Sequence, residues 1–302
     1  MAAAVIAARV GFLGVGGEQP RAQLLDALRS SLRDFGWIDG GNIEITARWA
    51  DEGLKQLRDI ARELVLQVDF LVTFGAQATL AAAETTTIPI VFVGVLDPIA
   101  IGVVDNLDHP SGNVTGLTAS SSQLIAARLG HLVELVPGLH RVAVIIRDDP
   151  GIEDTLFEIS REAERLGLDL VKYEATTGRT LDLAFRHLRT DHCEAIYVVS
   201  GPLGPAKRAQ IISLAAAARI PVIYSYRVFA EGGGLMSLAV DELDLCRRAG
   251  GFVDKILRGM PPGQLPVEQP SRFNLVLNLR AAKLLALTVP QGLLARADEV
   301  IE

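Results

Sequence analysis

Cysteine is nearly absent. The chain has two in 302 residues, Cys193 and Cys246, without a CxxC spacing, which excludes a disulfide framework and a structural zinc site. Aromatic residues make up 5%, so two tyrosines beside an arginine in one short stretch stand out. Basic residues are in deficit. Lys and Arg number 29 against 36 Asp and Glu, a net charge of −7. That is the wrong sign for a chain that lives on phosphate backbones, and nucleic acid is set aside as a partner. Long apolar runs are missing too. The longest, Ile88 to Val104, is interrupted by Pro89, Asp97 and Pro98 and falls short of the about 18–20 residues that span a bilayer. The stretch from Met1 to Arg9 is small and apolar but has neither a basic n-region nor a full h-region, so a signal peptide is expected to be either absent or already removed.

Catalytic signatures are likewise missing. There is no GxSxG elbow, no HExxH pair and no GxxxxGK[ST] phosphate loop, and His109, His131, His140, His187 and His192 fall on turns or helix faces. No catalytic residue, no metal and no cofactor is expected.

What is present is ample core material: 49% hydrophobic and 22% charged residues make a folded chain, and its length suggests two domains at roughly 100–200 residues each. From Arg9 onward short β-branched runs alternate with amphipathic stretches, the pattern of β-α units on parallel sheets. Strands are expected at Val10–Leu13, Asn42–Trp49, Phe70–Thr73, Ile90–Val93 and Val114–Leu117, with helices at Pro20–Phe35, Leu54–Val68 and Ala76–Thr85. The grammar then restarts and runs to a strand at Leu235–Leu238.

Two places match each other. Pro110 to Leu117 and Glu231 to Leu238 are each a Gly-rich turn with a short strand, and each leads into a long helix. If each strand ends one lobe and each following helix packs on the other, the chain crosses twice and makes a hinge beside a cleft. The expected fold class is therefore α/β, two Rossmann-like lobes with parallel sheets. The first spans 1–118 plus a helix at about 240–260, and the second spans 119–239. Segment 261–302, read as extended from Leu265 to Asn278 and then a short helix to Ala286, has no lobe assigned by its periodicity.

Ligands of open parallel sheets bind at the carboxyl ends of the strands, so site candidates are sought there. The first loop holds Gly16 in a Gly14-Val15-Gly16-Gly17 turn that does not match GxGxxG. Gly75, Ala76 and Gln77 open a small-residue helix whose backbone N–H groups suit a carboxylate; close helix packing is the alternative for the small residues. Asp97 is a candidate partner for a ligand amine, or else the cap of its own turn. Ser120 lies among three serines after the first crossover, one of which suffices to N-cap the next helix. In the second lobe the corresponding loops hold Asp148, Ser200 and Gly201, and the Tyr224-Ser225-Tyr226-Arg227 stretch offers Tyr226 to stack on a ring and Arg227 to pair with a carboxylate, a solvated arginine on a surface turn being the alternative for Arg227.

At this point the chain resembles a known family, the substrate-binding proteins of ABC transporters, in the tryptophan/tyrosine-type branch. The resemblance is carried by Thr86 to Val93 with Asp97-Pro98, Gly112 to Leu117, Val136-Pro-Gly138 and Arg141 to Val144. Further on it is carried by Arg219 to Val222, Glu231 to Ser237, Val253 to Gly259, Pro266 to Pro270 and Arg296 to Ile301. It implies a type I periplasmic-binding-protein fold joined by a crossover hinge, and a monomer outside the cytoplasm. Such a receptor captures a small carboxylate-bearing molecule, an amino acid or aromatic acid, in the interlobe cleft and hands it unchanged to a permease, touching the membrane complex only peripherally. The sequence departs from relatives at Arg147 to Pro150 and at Ser200 to Leu203, both in second-lobe ligand loops. The competing reading is an enzyme or a cytoplasmic ligand sensor on the same two-lobe scaffold, which would need a perturbed acid or base, or an output domain.

Overall fold

A computed structural model describes residues 8–15, 18–50, 53–146, 152–175, 177–199 and 205–302. The chain divides into two compact units, one of residues 1–120 and 241–271, the other of residues 121–240 and 272–302. It therefore passes between units at three places. The two Gly-rich repeats account for the first two; the third, at 271–272, follows no such repeat.

The first unit opens with β1 (Ala8–Val15), α1 (Glu18–Asp34), β2 (Ile43–Ala50), α2 (Leu54–Leu64), β3 (Phe70–Phe74), α3 (Ala76–Ala83), β4 (Ile90–Val95) and β5 (Val114–Thr118). These strands form an all-parallel sheet in the order β2-β1-β3-β4-β5. Parallel sheets are covered on both faces, and the continuous burial of Val10, Phe12, Leu13, Leu71, Val72, Val91 and Phe92 follows from that. In α2 the spacing of Leu57, Ala61 and Leu64 puts three buried residues on one stripe.

The second unit continues with α4 (Ser122–Leu135), β6 (Arg141–Ile146), α5 (Ile152–Arg165), β7 (Asp169–Glu174), α6 (Gly178–Thr190), β8 (Ala195–Val198), α7 (Pro205–Ala218), β9 (Val222–Tyr224), α8 (Arg227–Glu231) and β10 (Met236–Val240). The chain returns to the first unit for α9 (Glu242–Leu257), which packs on α1 where Gly250 meets Ser31. The second unit is completed by β11 (Phe273–Asn278), α10 (Leu279–Leu284), α11 (Gln291–Arg296) and β12 (Glu299–Ile301). Its seven strands run β12-β11-β10-β9-β8-β6-β7, all neighbours parallel except β10 and β11. One core cluster, including Leu129, Leu132, Val144, Tyr197 and Leu277, lies under α4 and α5; another, including Phe185, Ile196, Ile211 and Phe229, involves α6 and α7.

Three expectations change. The extended run from Leu265 to Asn278 is a strand only from Phe273. Pro266 and Pro270 cannot donate to a ladder, and the piece between them makes only an isolated bridge, the Glu268 N–H donating to the Gly116 carbonyl at 2.9 Å and the Glu268 carbonyl accepting from the Thr118 N–H at 2.9 Å, beside the Val267 N–H donating to the Leu107 carbonyl at 2.7 Å. The tail beyond Ala286, to which periodicity assigns no element, contributes α11 and the edge strand β12. The stretch from Tyr224 to Arg227 is not all loop, because Arg227 already begins α8.

Candidate functional site

In the first unit the carboxyl edge of the sheet is shaped by Gly75. Its φ of 87° lies in the region that disfavours a side chain, yet a Cβ there would meet nothing within 4 Å. Backbone conformation, not crowding, selects glycine, and the space beyond it is open. The Gly75 N–H donates to the Val93 carbonyl at 2.9 Å, tying the turn to β4, while the Gly75 carbonyl accepts from Thr79. Ala76 and Gln77 follow in the first turn of α3, where backbone N–H groups lack intrahelical acceptors. Asp97 caps its own turn, its Oδ1 accepting from the N–H groups of Ile99 at 3.0 Å and Ala100 at 2.9 Å. The Ser120 carbonyl accepts from the Thr118 hydroxyl at 3.1 Å, and Ser121 is the serine that N-caps α4, accepting from the Leu124 N–H.

In the second unit Tyr226 is the N-cap residue of α8 and packs half-buried against the core cluster of α6 and α7. The Arg227 guanidinium is shared between two carboxylates, Glu231 at 2.7 Å and Glu299 on β12. Both bonds favour its charged form. Gly16, Asp148, Ser200 and Gly201 lie outside the described residues. The structure therefore gathers Gly75, Ala76 and Gln77 at one sheet edge and Tyr226 with Arg227 at another.

Two arginines that the sequence analysis passed over also sit at these edges. Arg21, in the first turn of α1, lays its guanidinium over the Phe74 ring, 5.1 Å from the centroid. Arg128 is 5% exposed. Its Nε donates to the Leu238 carbonyl at 2.8 Å and its Nη1 to the Tyr197 hydroxyl at 2.8 Å, and no carboxylate of a described residue pairs with it. A signal for Arg128 existed: it falls in the apolar stripe Leu124, Ile125, Leu129 and Leu132 of α4. For Arg21 the signal was a cation at the positive end of a helix.

Among the described residues no group of His, Cys, Asp and Glu could hold a metal ion, and no helix is long and apolar enough to cross a membrane. Cys193 and Cys246 are both free and buried, and burial pushes both thiols up from their ordinary value.

The model of the family described as ABC transporter substrate binding protein matches residues 18–301. The chain belongs to this family. As a substrate-binding protein it has relatives in the tryptophan/tyrosine-type branch. A tyrosine-binding protein from Clostridioides difficile is 26% identical over 252 residues, 82% of this chain and 72% of that protein. Among solved structures, a conserved domain protein from Vibrio cholerae superposes with a TM-score of 0.88 at 26% identity, covering 97% of this chain and 99% of the other. The ABC domain in complex with L-Trp from Streptococcus pneumonia gives a TM-score of 0.85 at 21% identity, covering 97% and 100%. The substrate-binding protein has the type I periplasmic-binding-protein fold, as the likeness to a glucose-galactose binding protein from Geobacillus stearothermophilus, with a TM-score of 0.64, also reflects.

Proposed function

We propose that this chain is the capture component of an ABC import system. It takes up a small carboxylate-bearing molecule, an aromatic amino acid of the tryptophan/tyrosine class, and delivers it unchanged to a permease. It works as a monomer outside the cytoplasm and performs no chemistry. The observation that carries this reading is the similarity to a tyrosine-binding protein over 82% of the chain.

The residues placed at the sheet edges support it chemically. The N–H groups that open α3 at Ala76 and Gln77 present donors to an anion without a side chain at Gly75 in the way. Tyr226 supplies an aromatic face. Arg227 would exchange Glu231 or Glu299 for the carboxylate of the ligand, and this exchange is cheap because the pairs are solvent-accessible, where an ion pair contributes about 0–1 kcal/mol. Asp97 keeps its second oxygen for a ligand amine while Oδ1 caps the turn. Ser120, Gly16, Asp148, Ser200 and Gly201 complete the proposed lining.

The test is a thermal-shift and calorimetric titration of the purified protein with L-tryptophan, L-tyrosine, L-phenylalanine and their oxo-acids, with mass spectrometry of the recovered compound. A true ligand at a hundred times its Kd stabilises by about 2.7 kcal/mol and is recovered unchanged. A ligand recovered chemically altered, or no shift with any of these acids, would overturn the reading.

A further inference from the structure

Arg21 is poorly placed for helix stability. It sits in the first turn of the 17-residue α1, at the positive end of the helix dipole, whereas Arg33 occupies the last turn, where the dipole favours a cation. Its partner is an aromatic ring. Phe74 is the last residue of β3, in register with Gly14 of β1 and Val93 of β4, and is 5% exposed. The guanidinium carbon lies 5.1 Å from the ring centroid, a cation–π contact that holds the charge at the carboxyl edge of the sheet. A cation–π contact uses the charge and leaves the N–H donors unspent. No described residue accepts a hydrogen bond from Arg21 or forms an ion pair with it.

The surroundings keep this rim reachable. Gly75 and Gly94 flank the ring with φ of 87° and 75°. A Cβ on Gly75 would meet nothing within 4 Å, and one on Gly94 would meet only the Phe74 ring, at 3.7 Å. The acid facing Arg21 is Glu242, at the start of α9. Burial pushes the Glu242 carboxyl up toward its neutral form, Arg21 acts against that shift, and Asp241 adds to it. Asp241 spends its own carboxylate accepting from the Asp244 N–H at 3.0 Å. Cys246, with a raised thiol, and Arg247 complete the titratable set on this face of α9. Arg21 is thus a pre-oriented guanidinium without a bonded counter-ion.

We propose that Arg21, held over Phe74, is the side chain through which the first unit grips the carboxylate of the ligand and so selects acids over their neutral amides. This rests on the reading of the chain as a receptor for a carboxylate-bearing molecule. A planar fork on a ring suits bidentate recognition of a carboxylate.

The test is calorimetric titration of wild type, Arg21→Gln and Arg21→Lys with L-tryptophan, L-tyrosine, their amides and phenylacetate, with circular dichroism and melting as folding controls. Arg21→Gln is expected to weaken binding of the acids at least tenfold and to lower the acid-to-amide affinity ratio by a similar factor, with melting unchanged; Arg21→Lys retains part of the preference. Phe74→Leu keeps the charge but removes its platform and is expected to fall between. An acid-to-amide ratio unchanged in Arg21→Gln overturns the proposal. Should wild type bind phenylacetate but neither amino acid, the amino-acid reading falls, and Arg21 stands or falls by the loss of phenylacetate binding in Arg21→Gln. Binding of no carboxylate by wild type overturns both.

Discussion

Gly116 of β5 faces Phe92 of β4 so closely that a Cβ on Gly116 would lie 2.0 Å from the Phe92 carbonyl oxygen and 2.7 Å from its backbone nitrogen. Neither neighbour is a flexible side-chain end that can step aside. Gly116→Ala is therefore expected to push β5 off β4 and to destabilise the first unit by on the order of 3 kcal/mol. Urea denaturation followed by circular dichroism reads this directly, and a midpoint equal to that of wild type would refute it.

A second close approach joins two helices. A Cβ on Gly250 of α9 would come within 2.7 Å of the Ser31 Cβ on α1. Gly250→Ala is expected to cost about 1–3 kcal/mol, and Ser31→Gly added to it should recover part of the loss, because contacting residues are not additive. Additive effects in the double variant would show that the two sites do not touch.

Arg128 is a buried cation served by neutral acceptors. Arg128→Ala leaves the Leu238 carbonyl without its side-chain donor and the Tyr197 hydroxyl without its partner, an expected loss of about 3 kcal/mol. Arg128→Met keeps the stem in the apolar stripe of α4 and should lose less. Equal denaturation midpoints for the two variants would show that packing of the stem contributes nothing.

His131 sets a pH dependence. Burial lowers its basicity below the ordinary value of 6.5, Arg296 adds to the effect and Glu134 opposes it. The unfolded chain then takes up the proton first, so stability falls as pH drops below about 6.5 and goes on falling until the folded value is passed. His131→Gln should flatten the stability profile between pH 7 and 5. An identical profile in the variant would remove His131 as the cause.

Much of this architecture could be read from residue order. Buried parallel strands such as Phe70–Phe74, ended by Gly75, and Ile90–Val95 are runs of mostly apolar residues, and stripes such as Leu57, Ala61 and Leu64 announce their helices. The segment after Ser271 was less legible for a physical reason. β12 is three residues at a sheet edge and β11 runs antiparallel to β10, and neither length nor direction leaves a period to count. At the candidate site, the Gly75 turn and a serine cap among Ser120 to Ser122 were legible because caps and left-handed turns are local, though which serine was not. Arg21 offered only its place at a helix start, because its meaning comes from Phe74, a residue far along the chain that the parallel sheet brings to the same edge.

The return of the chain to its first unit has a consequence for synthesis. α1 is complete at Asp34, but α9, the helix that packs on it through Gly250, begins at Glu242. At about 5–20 residues per second, a ribosome needs roughly 10–40 seconds to make the intervening chain. During that interval the nascent first sheet can form, but Ser31 and Trp37, whose indole N–H donates to Asp254 at 2.8 Å, wait without their partners. The first unit to begin folding on the ribosome cannot be finished until all of the second but residues 272–302 has been made.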